Sequence, residues 1–215
     1  MAQRIIDLSL SFRNGMRGVT LEQNSTIATK GFNTTNLHLY SHAGTHMDAP
    51  LHFLDKARTI DQIVLEKCIG PAQLIDLTHK APNSLILVED VAPYADKITA
   101  GSRLLLRTDW SQQAEQEDYY RANMPRVSPE LAHWLVEKEI VLLGLETPSV
   151  ASLRPENRAE LAEVHQILLK AEIVIVESLA NLSHLTQDVV HFIALPLKID
   201  SCDGSPIRAV ALETT

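Results

Sequence analysis

Short apolar runs bounded by polar or turn residues recur along the whole chain, at 5–10, 37–40, 73–77, Arg103–Arg107, 140–145, 173–176, 192–197 and 207–212. Runs this brief, several of them β-branched, suit strands better than helices, which need a longer 3.6-residue period. Helical signals are fewer. Ser128-Pro129-Glu130 offers an N-cap followed by proline at the first helical position, and predicts a helix over 129–138 with Leu131, Leu135 and Val136 on one face. Asn157 is placed to cap a longer helix through residue 170, with Leu161, Val164, Leu168 and Leu169 at helical spacing. A third, shorter stretch, 88–98, is interrupted by Pro93. Strands therefore dominate a mixed α/β fold with few helices, and the order is not a regular βαβ alternation. No repeat and no Gly/Ser/Pro-rich linker divides the chain, so residues 1–215 are expected to form one domain.

Composition narrows the function classes. Lys+Arg of 19 against Asp+Glu of 27 gives a formal −8. No basic stripe is present to displace counterions from a nucleic acid. No apolar run approaches the roughly 20 residues that span a bilayer. The opening Met1-Ala2-Gln3-Arg4 leads into a strand-like segment without the apolar stretch of about 7–15 residues found in secretion signals, so a cytoplasmic protein is expected. Two cysteines, Cys68 and Cys202, are too few for a disulfide framework and have no C-x-x-C spacing. Neither a G-x-S-x-G elbow nor a glycine-rich phosphate loop occurs, which argues against a serine nucleophile and against nucleotide chemistry.

The chemistry concentrates in one stretch, Ser41-His42-Ala43-Gly44-Thr45-His46-Met47-Asp48-Ala49-Pro50-Leu51-His52. His42 and His46 have the i, i+4 spacing of two ligands on a helix, but Gly44 and Pro50 disfavour a regular helix here. A tight loop at a strand end, folded at Gly44, would bring the imidazoles together. Imidazole nitrogen and carboxylate oxygen suit Zn²⁺, and also Mn²⁺ or Fe²⁺. Two further residues are polar in apolar settings. His165 lies among the leucines of the second helix, and Glu177 ends the run Ile173-Val174-Ile175-Val176. Each has an ordinary explanation, a core histidine or a strand meeting solvent. Together they supply the nitrogen and oxygen that a second ion would need.

These residues resemble the cyclase-like metal-dependent hydrolase family that includes bacterial kynurenine formamidase and isatin hydrolase. The family's His-x-Gly-Thr/Ala-His-x-Asp-x-Pro-x-His segment is matched from His42 to His52, and its later pairing of a histidine twelve residues before a strand-end glutamate is matched by His165 and Glu177. The stretches Ile6-Asp7-Leu8-Ser9, Leu105-Leu106-Arg107-Thr108 and Gly144-Leu145-Glu146-Thr147-Pro148 look like further landmarks. The resemblance implies a swivelling β/β/α domain built on a mixed sheet, a homodimer or higher homo-oligomer, and a water activated by metal. His42, His46 and Asp48 would bind one ion, and Asp48 and Glu177 would bridge to a second completed by His165. His52 would stay free as general acid/base. Single-ion relatives carry glutamine where this chain has Glu177, so two ions are implied, zinc or else manganese. Formamidases place Pro and Trp soon after the first strand to stack on substrate. Here the stretch reads Phe12-Arg13-Asn14-Gly15-Met16, and Phe12 or Phe32 would have to substitute. Trp110, after the strand-like Arg103–Arg107, either lines the substrate pocket or covers the core.

The implied activity is hydrolysis of a C–N bond in an aryl formamide or a cyclic amide, a small-molecule substrate. The alternative is a metal-binding protein of the same fold without catalysis, whose ligand sphere would be closed. His38, His79, His133, His184 and His191 have no companion spacing and carry no assignment.

Overall fold

Every one of the apolar runs becomes, or overlaps, a strand. The structure, a computed structural model, describes residues 3–214. Its strands are β1 (Gln3–Asp7), β2 (Val19–Ser25), β3 (Thr34–Leu39), β4 (His46–Asp48), β5 (Ile69–Asp76), β6 (Leu85–Ile86), β7 (Arg103–Arg107), β8 (Arg126–Val127), β9 (Leu142–Leu145), β10 (Val174–Glu177), β11 (Val189–Pro196) and β12 (Gly204–Thr214). One sheet of eight strands runs in the order β1-β12-β11-β5-β7-β9-β10-β4. Because β4 also pairs with β12, the sheet closes on itself and leaves β1 hanging on the outside. The pairings of β5, β7, β9 and β10 are parallel and the rest of this sheet is antiparallel, so the expected mixed, strand-dominated α/β fold is observed.

The parallel strands are covered on both faces, which is why they read as unbroken apolar runs. Side chains alternate between two cores. Leu104, Leu106, Leu143, Leu145 and Ile175 pack toward the helices Pro129–Glu137 and Arg158–Lys170, with Leu131, Leu135 and Leu168. Leu105, Leu142, Val174 and Val176 point the other way, into the closed sheet, with Met47, Phe192 and Ala209. This alternation positions the chemistry. With Val176 and Met47 facing the interior, Glu177, His46 and Asp48 must face the helical side, where His165 sits on the helix Arg158–Lys170.

The first helix starts as the sequence indicates. The Ser128 hydroxyl accepts from the Leu131 backbone N–H at 3.1 Å, and Pro129 occupies the first helical position. The second begins at Arg158, but Asn157 makes no cap, because its side-chain amide donates instead to the Ser152 hydroxyl. Residues 88–98 split into a helical turn, Val88–Val91, and a 3₁₀ segment, Ala92–Lys97, at the interruption expected from Pro93. The hairpin of β2 and β3 stands outside the main sheet. Most of its residues are at least partly exposed, so β2 carries no apolar alternation and leaves little trace in the sequence. Ile27, Phe32 and Leu37 are exposed on or beside it. Among the described residues no helix is long and apolar enough to cross a membrane.

Candidate metal centre

The loop from His42 to His52 folds as its glycine requires. Gly44 has φ +56°, in the left-handed region, and a Cβ there would sit 2.6 Å from Cε1 of Phe12. Thr45 ties the loop down, donating to the Ser178 carbonyl at 2.6 Å and accepting from Leu10 N–H at 2.8 Å. β4 follows, wedged between two neighbours. His46 lies opposite both Glu177 and Pro206, and Asp48 opposite both Ile175 and Gly204. The closure is tight, since a Cβ on Gly204 would fall 2.8 Å from Cε1 of His42.

His46, Asp48, His165 and Glu177 are all buried. Two backbone carbonyls set the imidazole faces. His46 Nδ1 donates to Gly44 O at 2.9 Å, and His165 Nδ1 donates to Leu161 O at 2.7 Å. Both Nε2 atoms are thereby aimed inward, the outer-partner arrangement that orients ligating histidines. His46 Nε2 lies 3.5 Å from Asp48 Oδ1 and 3.2 Å from Glu177 Oε2. On the other side His165 Nε2 lies 3.8 Å from Asp48 Oδ2 and 3.5 Å from Glu177 Oε1. Each carboxylate thus turns one oxygen to each histidine.

The donor set fits a divalent cation. Donors held about 2.0–2.2 Å from a tetrahedral ion sit roughly 3.4 Å from one another, close to the separations found here. Asp48 Oδ2 is buried without a hydrogen-bond partner, which is costly for a carboxylate unless a cation neutralises it. Burial alone pushes Glu177 up, yet His165 and His46 hold it well below the usual carboxylate range. The same contact works in reverse on His165, where Glu177 and Asp48 outweigh burial and raise the imidazole.

His42 is brought to the cluster through a different geometry. Its Nδ1 is 2.8 Å from Asp48 Oδ1, and its Nε2 is 3.0 Å from Asp203 Oδ2. Burial opposes charge on this ring, but carboxylates at both nitrogens lift its pKa to about 9. His52 stacks over it, ring centroids 3.9 Å apart, with Nδ1 3.5 Å from the same Asp203 oxygen. Burial, reinforced by His42 and His165, holds His52 below its ordinary value despite the pull of Asp48 and Glu177. His42, Asp48 and His52 form one group of converging donors, and His46, Asp48 and Glu177 another.

Two adjoining cavities of about 120 and 210 Å³ open onto these residues. Both are lined by Arg17, His42, His46, Arg121 and Pro148. The larger also reaches His52, His165 and Glu177, with Tyr40 and Phe53 as its aromatic walls. Phe53 stacks on His165 at 4.2 Å. The expected aromatic contacts are distributed otherwise. Phe12 packs against Gly44 at the base of the metal loop. Phe32 is exposed between β2 and β3 and lines neither of these two cavities. Trp110 is buried with Tyr120 and Met124, its indole donating to Tyr120 O at 2.9 Å, so it covers a small core and does not line the cavity. Asp203 escapes sequence reasoning because Cys202-Asp203-Gly204 reads as a turn, and Tyr40 and Phe53 escape because single aromatics beside a loop look like core.

A family model described as "Putative cyclase" matches residues 6–152. A kynurenine formamidase of Bordetella petrii is 33% identical over 183 residues, covering 84% of this chain and 81% of that protein. One from Bacillus cereus is 34% identical over 178 residues, covering 83% and 79%. Among solved structures, isatin hydrolase A from Labrenzia aggregata, bound to benzyl benzoate, superposes with a TM-score of 0.89 at 26% identity, covering 99% of this chain and 94% of that one.

Proposed function

Since the chain belongs to the cyclase family, we propose that it hydrolyses the C–N bond of an aryl formamide or a cyclic amide with the help of two divalent cations, zinc or else manganese. The observation that carries this reading is the pair of carboxylates, Asp48 and Glu177, each turning one oxygen toward His46 and the other toward His165. His42, His46, Asp48, His165 and Glu177 are the residues that would hold the ions. Cations held there supply Lewis acidity, which lowers the pKa of a water to about 7 and polarises a carbonyl.

The chain's own residues do the rest. His52, half-buried and kept largely neutral near pH 7, takes a proton from the attacking water as its oxygen bonds to the carbonyl carbon. It returns that proton to the nitrogen as the C–N bond breaks. Asp203 touches both His42 and His52 and fixes how the two rings stack. Tyr40 and Phe53 give the cavity apolar walls suited to an aryl group, and Phe12 buttresses the loop behind them.

The deciding experiment is metal analysis together with turnover of a panel of formanilides and cyclic amides. Chelation should abolish hydrolysis, and Zn²⁺ or Mn²⁺ should restore it. His52→Ala should keep its metal and lose about 10²–10⁴-fold in kcat. A fully active His52→Ala protein would remove His52 from the mechanism. We also infer a homodimer or higher homo-oligomer from the exposed Ile27, Phe32 and Leu37. A monomeric mass by light scattering would refute it. Two unpaired cysteines support a reducing compartment, the cytoplasm.

A further inference from the structure

Packing fixes the plane of the His52 ring but not which of its nitrogens carries the proton. The ring stacks on His42, centroids 3.9 Å apart, and meets Phe53 nearly at right angles, centroids 4.5 Å apart. Neither contact offers an acceptor in the plane of the imidazole. Among the described residues, the carboxylate of Asp203 is the only one within ion-pairing distance of the ring, its Oδ2 3.5 Å from Nδ1.

Asp203 is not a loose surface acid. The Ala49 N–H donates to its carbonyl at 2.9 Å, and the Ile60 N–H donates to the Cys202 carbonyl at 2.9 Å. Gly204, the next residue, lies opposite Asp48 in the pairing of β12 with β4. These contacts staple the turn before β12 to the segment that carries His52. The same Oδ2 lies 3.0 Å from Nε2 of His42, so the carboxylate is pinned from the side chain as well. Its place also gives the contact a direction. His52 lines the larger cavity, whereas Asp203 lines neither. The acid therefore acts on whatever the cavity holds only through the ring in front of it.

We propose that Asp203 is a positioning residue for the hydrolysis, keeping the His52 proton on Nδ1 and leaving Nε2 bare as the base. A free histidine side chain favours the opposite form, with its proton on Nε2, which cannot accept another there. A partner at Nδ1 reverses that preference, because the hydrogen bond made by one ring nitrogen sets the protonation of the other. When Nε2 takes the proton of the attacking water, the ring becomes a cation. Asp203 faces it with the opposite charge until the proton passes to the departing nitrogen and the ring is neutral again. The role rests on the hydrolase reading above, but the tautomer can be measured without turnover.

Three measurements on the Zn²⁺-saturated protein decide. Asp203→Ala should lower kcat about 10–100-fold and leave KM nearly unchanged, and Asp203→Glu should recover part of the loss. The second measurement separates His52 from His42, which the same carboxylate touches. Placed in the His52→Ala background, Asp203→Ala should cost nothing further. A fall of equal size there would assign Asp203 to His42 and overturn the proposal. Third, the nitrogen-15 shifts of His52 should show the proton on Nδ1 in the wild type and a return toward the Nε2 form in Asp203→Ala. An unchanged kcat, a loss confined to KM, or a His52 tautomer indifferent to the substitution would equally overturn it. If neither formanilides nor cyclic amides turn over with Zn²⁺ or Mn²⁺, the hydrolase reading fails, and the nitrogen-15 shifts still decide whether Asp203 sets the tautomer.

Discussion

Two buried glutamates stand at the carboxyl ends of neighbouring strands, and their fates differ. Glu146 follows β9 and Glu177 ends β10, and both are almost fully shielded from water. Glu146 accepts from the backbone N–H groups of Thr108 and Asp109 at 2.9 and 2.6 Å and from the Ser111 hydroxyl at 2.8 Å. Its charge is met entirely by fixed donors, and burial still leaves its pKa raised. Glu177 takes a single backbone donor, Val150 N–H at 2.8 Å, and spends its remaining capacity on imidazoles. One acid closes a structural joint and the other belongs to the proposed cation site. What separates them is the number of backbone donors supplied by the loop after the adjacent strand, β7 for Glu146 and β9 for Glu177, a property of loop conformation that neither strand encodes.

Substitutions at the two positions should therefore fail in different currencies. Glu177→Ala should lose bound metal and at least about 100-fold in kcat/KM, as removal of even supporting groups around a metal can cost that much. Plasma emission for metal content and steady-state kinetics check it. Retention of full metal content would collapse the contrast. Glu146→Ala should keep its metal yet unfold more easily, because three donors are left unsatisfied. A loss of about 3 kcal/mol would lower Tm by roughly 6–12 °C, readable by scanning calorimetry.

The smallest effect is in pH. In metal-free protein Glu177 lies below the ordinary carboxylate value of about 4.3, so its stabilisation is present above that pH and is lost as pH falls through its lowered pKa. Glu146 is raised, so its contribution is complete below about 4.3 and fades as pH rises through its folded value. Urea denaturation in chelator should show stability climbing from acid pH and then easing. Glu146→Gln should flatten only the later decline and leave the rise at acid pH in place.

The sequence carried the parts of this molecule that depend on local pattern. Leucine and valine runs announced the doubly covered parallel strands, Ser128-Pro129 announced a helix start, and the spacing from His42 to His52 announced a convergent loop. It was silent where the physics is long-range. The wet hairpin strand β2 has no apolar rhythm, and the pairing of β4 with β12 joins segments with no mutual signature. Asp203 meets His42 from 161 residues away. Asn157 shows the limit of local rules, since a residue of the right type was drawn off to Ser152 by tertiary contact.

The position of β4 between β10 and β12 has a consequence for how the protein is made. His46 and Asp48 leave the ribosome more than 150 residues ahead of Gly204 and Pro206, which hold them from one side. Domains generally fold as units as they emerge. Here the loop lacks that support until residue 206 has emerged, so the proposed metal site would be completed only after that point. A chain halted before residue 204 would display His42, His46 and Asp48 without the strand that locks them in place.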